Sequence, residues 1–272
     1  MICRPSGHHQ LSRVSLGYGT KPNADMFIRP YINGRDLNQV SRNRFALDFH
    51  AKTEAFVRDQ FPEAYQHLLE NSKPIRAEDK MPYRRENWWR FGQPSTEMRA
   101  ALKGFPFFFG TTETAAHRIF SSLDGSAAPD QKIRVIACSD WAIFAILCSR
   151  LHVEFSFRTG GWQGKGNDPV YQHTNTFNQF PFPDFTEVES SLVDELRAKG
   201  RDLDRFRKAQ IGANPGLTLT DMYNALEAFR LAEHYESAEF SDKDREVYQR
   251  ANIAILKQYH DTLDKLAFEA YG

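Results

Sequence analysis

The hydrophobic rhythm of the chain changes near residue 185. Before that point short apolar runs alternate with polar positions, glycine and proline; after it, apolar residues recur at helical spacing. Met26–Ile32 reads as a strand, followed by a turn at Asn33-Gly34-Arg35-Asp36. Arg44–Phe49 alternates with period two, placing Phe45, Leu47 and Phe49 on one face of a half-buried strand. Ala51–Asn71 carries a broken helical stripe of Ala55, Phe56, Tyr65, Leu68 and Leu69. Ser95 is placed to cap a short helix ended by Gly104. Strands are predicted at Phe105–Gly110, His117–Phe120 and Ile133–Ala137. Ser139 then stands where it can cap a helix burying Trp141, Phe144, Ala145, Cys148 and Leu151. Glu187–Gln210 is an amphipathic helix, Asn214-Pro215-Gly216 breaks the chain, and Thr220 and Ser241 cap helices to about Tyr235 and Tyr271. The implied fold class is α+β: an irregular lead-in over residues 1–25, a mixed sheet with packed helices over 26–185, and an all-helical subdomain over 186–272.

The stretch Thr159–Phe185 divides the two rhythms. Its glycines Gly160, Gly161, Gly164 and Gly166 permit close backbone approach to a ligand, and Asn167-Asp168-Pro169 signals a turn. Phe177, Phe180, Phe182 and Phe185 follow on an extended segment whose prolines, Pro181 and Pro183, oppose pairing in a sheet. The segment reads as a loop able to touch a polymer, then a phenylalanine strap pinning two subdomains together. A core loop without a ligand is the alternative.

Charge adds an asymmetry. The formal net charge is zero, yet residues 1–185 carry 23 Lys and Arg against 18 Asp and Glu, and residues 186–272 carry 12 against 17. A basic part joined to an acidic part suits a nucleic-acid-facing module with a solvated or partner-facing tail. Cys3, Cys138 and Cys148 form no CxxC pair, which fits a reducing cytoplasm. Neither a signal-peptide core in Met1–Gly17 nor an apolar run of about 18 residues occurs, so no membrane association is expected.

Catalytic signatures are missing. The sequence holds no GxSxG, P-loop, HExxH or helix-opening GxGxxG, and Cys3 with His8 and His9 lacks a second ligand pair for a metal. His117 and His152 read as core or edge histidines. Tyr83–Gly92, YRRENWWRFG, sets Arg84, Arg85 and Arg90 around Trp88 and Trp89. Arginine beside aromatic rings suits phosphate clamping or groove reading. A buried tryptophan pair with arginines reaching past it accounts for the string equally well.

Seven strings stand in one order: RPYINGRDL (Arg29–Leu37), RFALDF (Arg44–Phe49), YRRENWWRFG (Tyr83–Gly92), HRIF (His117–Phe120), LCSRLH (Leu147–His152), GNDPVY (Gly166–Tyr171) and NTFNQFPFP (Asn175–Pro183). The ordered set resembles the C-terminal part of the MmeI-like, type IIL class of restriction–modification and DNA methyltransferase proteins. LTLTDMYNAL (Leu217–Leu226) and LDKLAFEAYG (Leu263–Gly272) resemble the helical domain that ends those proteins, and the likeness spans about residues 26–272. The resemblance implies a target-recognition domain followed by that helical domain. The family's glycine-rich S-adenosylmethionine motif and NPPY-type loop do not occur here. S-adenosylmethionine is thus implied only for a methyltransferase domain outside these residues, or for a methyltransferase subunit acting in trans.

The implied function is sequence recognition on double-stranded DNA for an adenine-specific methyltransferase, with binding rather than catalysis expected of these residues. Candidate DNA contacts are Arg84, Arg85, Arg90, Arg118, Arg158, Lys165, Asn167 and Gln172, through base edges or phosphates. Tyr31, Trp88, Phe177 and Phe182 are assigned to packing. No catalytic, cofactor or metal residue is expected. The competing reading is a structural or protein-interaction domain, a truncated remnant that docks through its acidic helical tail and binds no DNA unaided.

Overall fold

A computed structural model describes residues 27–163, 168–235 and 240–272. In chain order the first elements are β1 (Ile28–Ile32), α1 (Gly34–Asn38), β2 (Phe45–Leu47), α2 (Glu54–Gln60), α3 (Pro62–Asn71), α4 (Lys73–Ala77), α5 (Pro82–Glu86) and α6 (Thr96–Ala101). Next come β3 (Phe107–Thr112), β4 (Phe120–Asp124), β5 (Ala128–Pro129), β6 (Ile133–Ile136), α7 (Trp141–Cys148), α8 (Arg150–Thr159), β7 (Gly161–Gln163) and β8 (Asp168–Val170). A π-helical turn (His173–Phe177) precedes α9 (Ser190–Ala213), α10 (Leu219–His234), α11 (Asp242–Arg250) and α12 (Ile253–Ala270). The fold is α+β, as the sequence predicts. Among the described residues the strands divide among three small sheets: β2-β1-β5, β4-β3-β6 and the pair β7-β8. The described residues form two compact units, one from residues 27–32, 42–104 and 125–129, the other from 33–41, 105–124, 130–163, 168–235 and 240–272.

In the first unit β1 pairs antiparallel with β2 and parallel with β5. Leu47 and Phe49 are buried as the alternation requires, but so are Ala46 and Asp48 on the other face. Phe27, Phe49, Val57, Phe61, Leu68, Trp88 and Trp89 form the core. The predicted helix over Ala51–Asn71 is two helices, because Pro62 has no N–H to continue the first and Phe61 leaves helical geometry. Thr53 caps α2, its side chain accepting from the Phe56 N–H.

In the second unit β3 is the centre of an antiparallel sheet, paired with β4 and β6. Asn33 does not open a hairpin turn. Its side chain and that of Asp36 form a capping box that starts α1. The predicted strand at His117–Phe120 begins only at Phe120, and His117 and Arg118 turn inward. Asp140, rather than Ser139, caps α7, and Thr218, rather than Thr220, caps α10. Both sites hold two eligible side chains close together, and backbone geometry selects between them. Ser241 caps α11 as expected, while left-handed Asn252 (φ 51°) separates α11 from α12.

Helices α7, α9, α10 and α12 enclose the main core with Phe109, Phe120 and Tyr171, and Cys148 is one of its small buried members. At Gly200 helix α9 passes so close to α7 that an added Cβ would stand 2.6 Å from the Trp141 carbonyl. The phenylalanine strap contributes buried Phe180, packed at 4.5 Å from His152 and 5.2 Å from Phe155. Tyr271 Oη, just past α12, donates to the Pro181 carbonyl at 2.8 Å. The strap thus ties α8 to the end of the last helix within this unit.

Candidate nucleic-acid interface

Six of the eight expected contact residues lie among the described residues, three in each unit; Lys165 and Asn167 fall in 164–167, outside them. In the first unit, Trp88 and Trp89 are core residues with rings 5.9 Å apart, edge to face. The Lys52 carbonyl collects three donors: Trp89 Nε1 at 3.0 Å, Arg90 Nε at 2.9 Å and Arg90 Nη2 at 2.6 Å. The Arg90 guanidinium also lies over the Trp89 ring. Arg84 donates to the Gly92 carbonyl and to Asp79. Arg85 is exposed, and its terminal Nη1 donates to the Asp79 carbonyl at 2.7 Å. The string therefore resolves by residue: the tryptophans pack, all three arginines donate to backbone carbonyls, and of the three Arg85 is the exposed one.

Beside this patch lies a cleft of about 340 Å³ lined by Phe27, Arg29, Asp48, His50, Lys52, Arg99 and Ser126. Asp48 is buried and accepts from Arg99 at 2.6 and 3.1 Å and from Arg29 at 2.9 Å. Burial pushes the Asp48 carboxyl up, but the two guanidinium groups outweigh it and hold it below its ordinary value. Arg29 also donates to the Ser126 and Ala127 carbonyls at 2.7 Å each, locking the strand β1 to the loop before β5. None of these residues is among the contacts expected from the sequence. Arg29 and Asp48 sit in the quoted strings, but hydrophobic alternation assigns Asp48 to the open face of its strand.

In the second unit the structure gathers Arg158, Trp162, Gln163 and Gln172 around the β7-β8 hairpin. Gly160 makes the junction possible. An added Cβ there would stand 2.5 Å from the Val170 carbonyl and 2.6 Å from the Ser156 carbonyl. The close approach is to the protein's own backbone. Gly161 likewise lies against the Gln172 amide, whose Oε1 accepts from Asn175 at 2.8 Å. Arg158, exposed in the last turn of α8, has no ion-pair partner among the described residues, and Trp162 is 54% exposed. A planar indole, an unpaired cation and side-chain amides are the groups that stack on bases, hold phosphates and read base edges. Trp162 is missed by the string comparison; only its place inside the glycine-rich run points to it.

Arg118 is different. It is 5% exposed, and its guanidinium donates to Thr111 Oγ1, to the Thr112 carbonyl and to the Pro169 carbonyl, over the Tyr171 ring. Burial lowers its pKa to about 10, still cationic at neutral pH. Its contacts fasten the hairpin to the end of β3, so it is placed to position the exposed groups from within. His152, fully buried, meets Tyr171 Oη at 2.9 Å, and burial followed by the Arg118 charge lowers its pKa to about 3. His117 Nε2 lies 2.6 Å from Asn224 Oδ1. Both histidines are core residues.

Among the described residues no group of three or more His, Cys, Asp or Glu is arranged to hold a metal ion, and no helix is long and apolar enough to cross a membrane. No protein-family model matches the chain, and no curated protein matches it. Among solved structures, the chain is similar to the type IIL restriction–modification enzyme MmeI, determined in complex with DNA, with a TM-score of 0.65 and 13% identity. The likeness covers 96% of this chain and 30% of that enzyme. At that identity it establishes a shared fold.

Proposed function

We propose that the chain is a DNA sequence-recognition module serving an adenine-specific DNA methyltransferase of the restriction–modification type. The observation that carries this reading is the fold: nearly the whole chain follows part of an enzyme whose structure was determined with DNA bound. The hairpin of the second unit supports it, since exposed Trp162 and unpaired Arg158 stand beside Gln163 and Gln172. Lys165 and Asn167 belong to the same loop in sequence and complete the proposed contact set of the hairpin; Arg85 is a separate candidate contact on the first unit. Arg84, Arg90 and Arg118 act by holding backbone rather than by touching DNA. Methyl transfer and its S-adenosylmethionine belong to a separate methyltransferase domain or subunit. Base modification requires the target to be extruded from the duplex while a reader keeps register.

The second reading, a protein-interaction domain, draws on exposed apolar side chains of the helical region, Leu231 and Tyr235 near the end of α10 and Phe268 on α12. Anisotropy titration with random-sequence duplexes at two salt concentrations, followed by selection of bound sequences, separates the two. Salt-sensitive binding with an enriched motif is the expected result, because phosphate contacts release counterions. No binding at low salt overturns a self-sufficient reader and leaves the interaction domain.

A further inference from the structure

We infer that the cleft beside Asp48 in the first unit is a binding site for a phosphate oxyanion, with Lys52 and His50 as ligands and Arg29 and Arg99 as a fixed positive wall. Three basic side chains, Arg29, Lys52 and Arg99, line the cleft against a single carboxylate. That carboxylate is already spent on orienting both arginines. Each guanidinium has five N–H groups. Arg29 uses three in hydrogen bonds to Ser126, Asp48 and Ala127, and Arg99 uses three to Pro94 and Asp48. One N–H on each terminal nitrogen stays uncommitted among the described residues, in groups whose position is already set.

Lys52 has a different kind of anchor. Its Nζ stands 4.9 Å from the Phe56 ring centroid and 5.9 Å from that of Phe27, and it has no carboxylate partner among the described residues. Ring faces hold an ammonium in place without consuming its hydrogen-bond donors. His50 is lowered below its ordinary pKa first by burial, then by Arg99 and Arg90, with Asp48 pulling the other way. The imidazole thus sits in a field of positive sign, which an incoming anion would reverse. Donors converge from β1, from the segment after β2 and from α6. That convergence from several directions suits a tetrahedral oxyanion with several acceptor oxygens; a planar carboxylate is satisfied by one forked arginine.

The phosphate has two sources, a free phosphate group or the phosphodiester backbone of DNA, and the DNA reading above bears only on that choice. The test follows the His50 ring resonances of the full chain by NMR, identified by their loss in His50→Gln. Inorganic phosphate is titrated at constant ionic strength against a chloride control. The expected result is a saturable shift with a raised His50 pKa, absent with chloride. Lys52→Gln keeps the backbone carbonyl that holds Trp89 and Arg90, and should weaken phosphate binding roughly tenfold or more; Lys52→Arg should restore it. If a short duplex produces the same shift and competes with phosphate, the site takes backbone phosphate. If it does not compete, the site takes free phosphate. His50 unmoved by phosphate, or moved equally in Lys52→Gln, overturns the site. Duplex anisotropy measured in parallel keeps the two ideas apart: binding with His50 silent defeats the cleft alone, and a phosphate response without duplex binding defeats the reader alone.

Discussion

Asp48 and Arg99, 51 residues apart, meet through paired hydrogen bonds of 2.6 and 3.1 Å, and Arg29 closes on the same carboxylate at 2.9 Å. One carboxylate thereby fixes two cations arriving from β1 and α6. Asp48→Asn removes the charge but keeps the shape, leaving two largely buried guanidinium groups uncompensated. The expected loss is about 3 kcal/mol of stability, measured by urea denaturation. Because the folded pKa of Asp48 is depressed, its contribution is present above the unfolded value near 3.9 and fades as pH falls through the folded value. A variant with unchanged midpoint would show that the cluster is a surface ornament.

Acid should act earlier through two histidines. His152 and His260 are buried, and burial first, then Arg118 for one and Arg207 and Arg230 for the other, lowers each pKa to about 3. Below pH ~6.5 the unfolded chain takes up protons that the folded chain refuses, so stability rises with pH in that range. The slope is about 1.4 kcal/mol per pH unit for each histidine between about pH 6.5 and 3; the stabilisation itself is complete at neutral pH and is lost across that range. His117 opposes it weakly. Burial works against its protonation, but Glu227 and Asn224 raise its pKa overall, so its contribution is complete at low pH and lost as pH rises through the folded value. His152→Gln should remove about one proton from the measured pH slope. An unaltered slope would mean that His152 protonates in the folded state.

Gly200→Ala tests the packing of α9 on α7. The new Cβ would meet the Trp141 carbonyl at 2.6 Å and the Ala145 backbone and Cβ at 3.3 Å, so one helix must shift. Overpacking of this kind costs roughly 1–3 kcal/mol. Thermal unfolding followed by circular dichroism should show a lowered Tm, and an unchanged Tm would mean the helices separate without cost.

Elements dominated by local physics are legible in the sequence. The alternation of Phe45, Leu47 and Phe49 marks β2, and Ser241 three residues before Asp244 marks the start of α11. Asn33-Gly34 misleads because the same residues that favour a turn also favour a helix N-cap, and Asp36 decides between them through its reciprocal hydrogen bond. The burial of Arg118 is invisible along the chain: its acceptors on Thr111, Thr112 and Pro169 belong to the end of the central strand β3 and to a hairpin. Asp48 is hidden for a related reason, since its partners are 19 and 51 residues away. Charge seen one residue at a time reads as surface. Only tertiary pairing reveals a buried ion cluster.

The DNA reading makes a prediction that separates contact from support. Arg158 and Trp162 are exposed around the β7-β8 hairpin, whereas Arg118 fastens that hairpin from within. Arg158→Ala should weaken duplex binding and lower the slope of log affinity against log salt by about one, while stability changes by no more than about 0.5 kcal/mol. Trp162→Ala should weaken binding with the salt slope retained, since an indole neutralises no phosphate. Arg118→Gln should behave in the opposite way, lowering Tm because buried carbonyls at Thr112 and Pro169 lose a charged donor. Anisotropy at several salt concentrations, with Tm measured on the same samples, reads all three. Parent-like binding by both Arg158→Ala and Trp162→Ala would remove the hairpin from the interface, and the exposed Arg85 of the first unit would then be the next place to look.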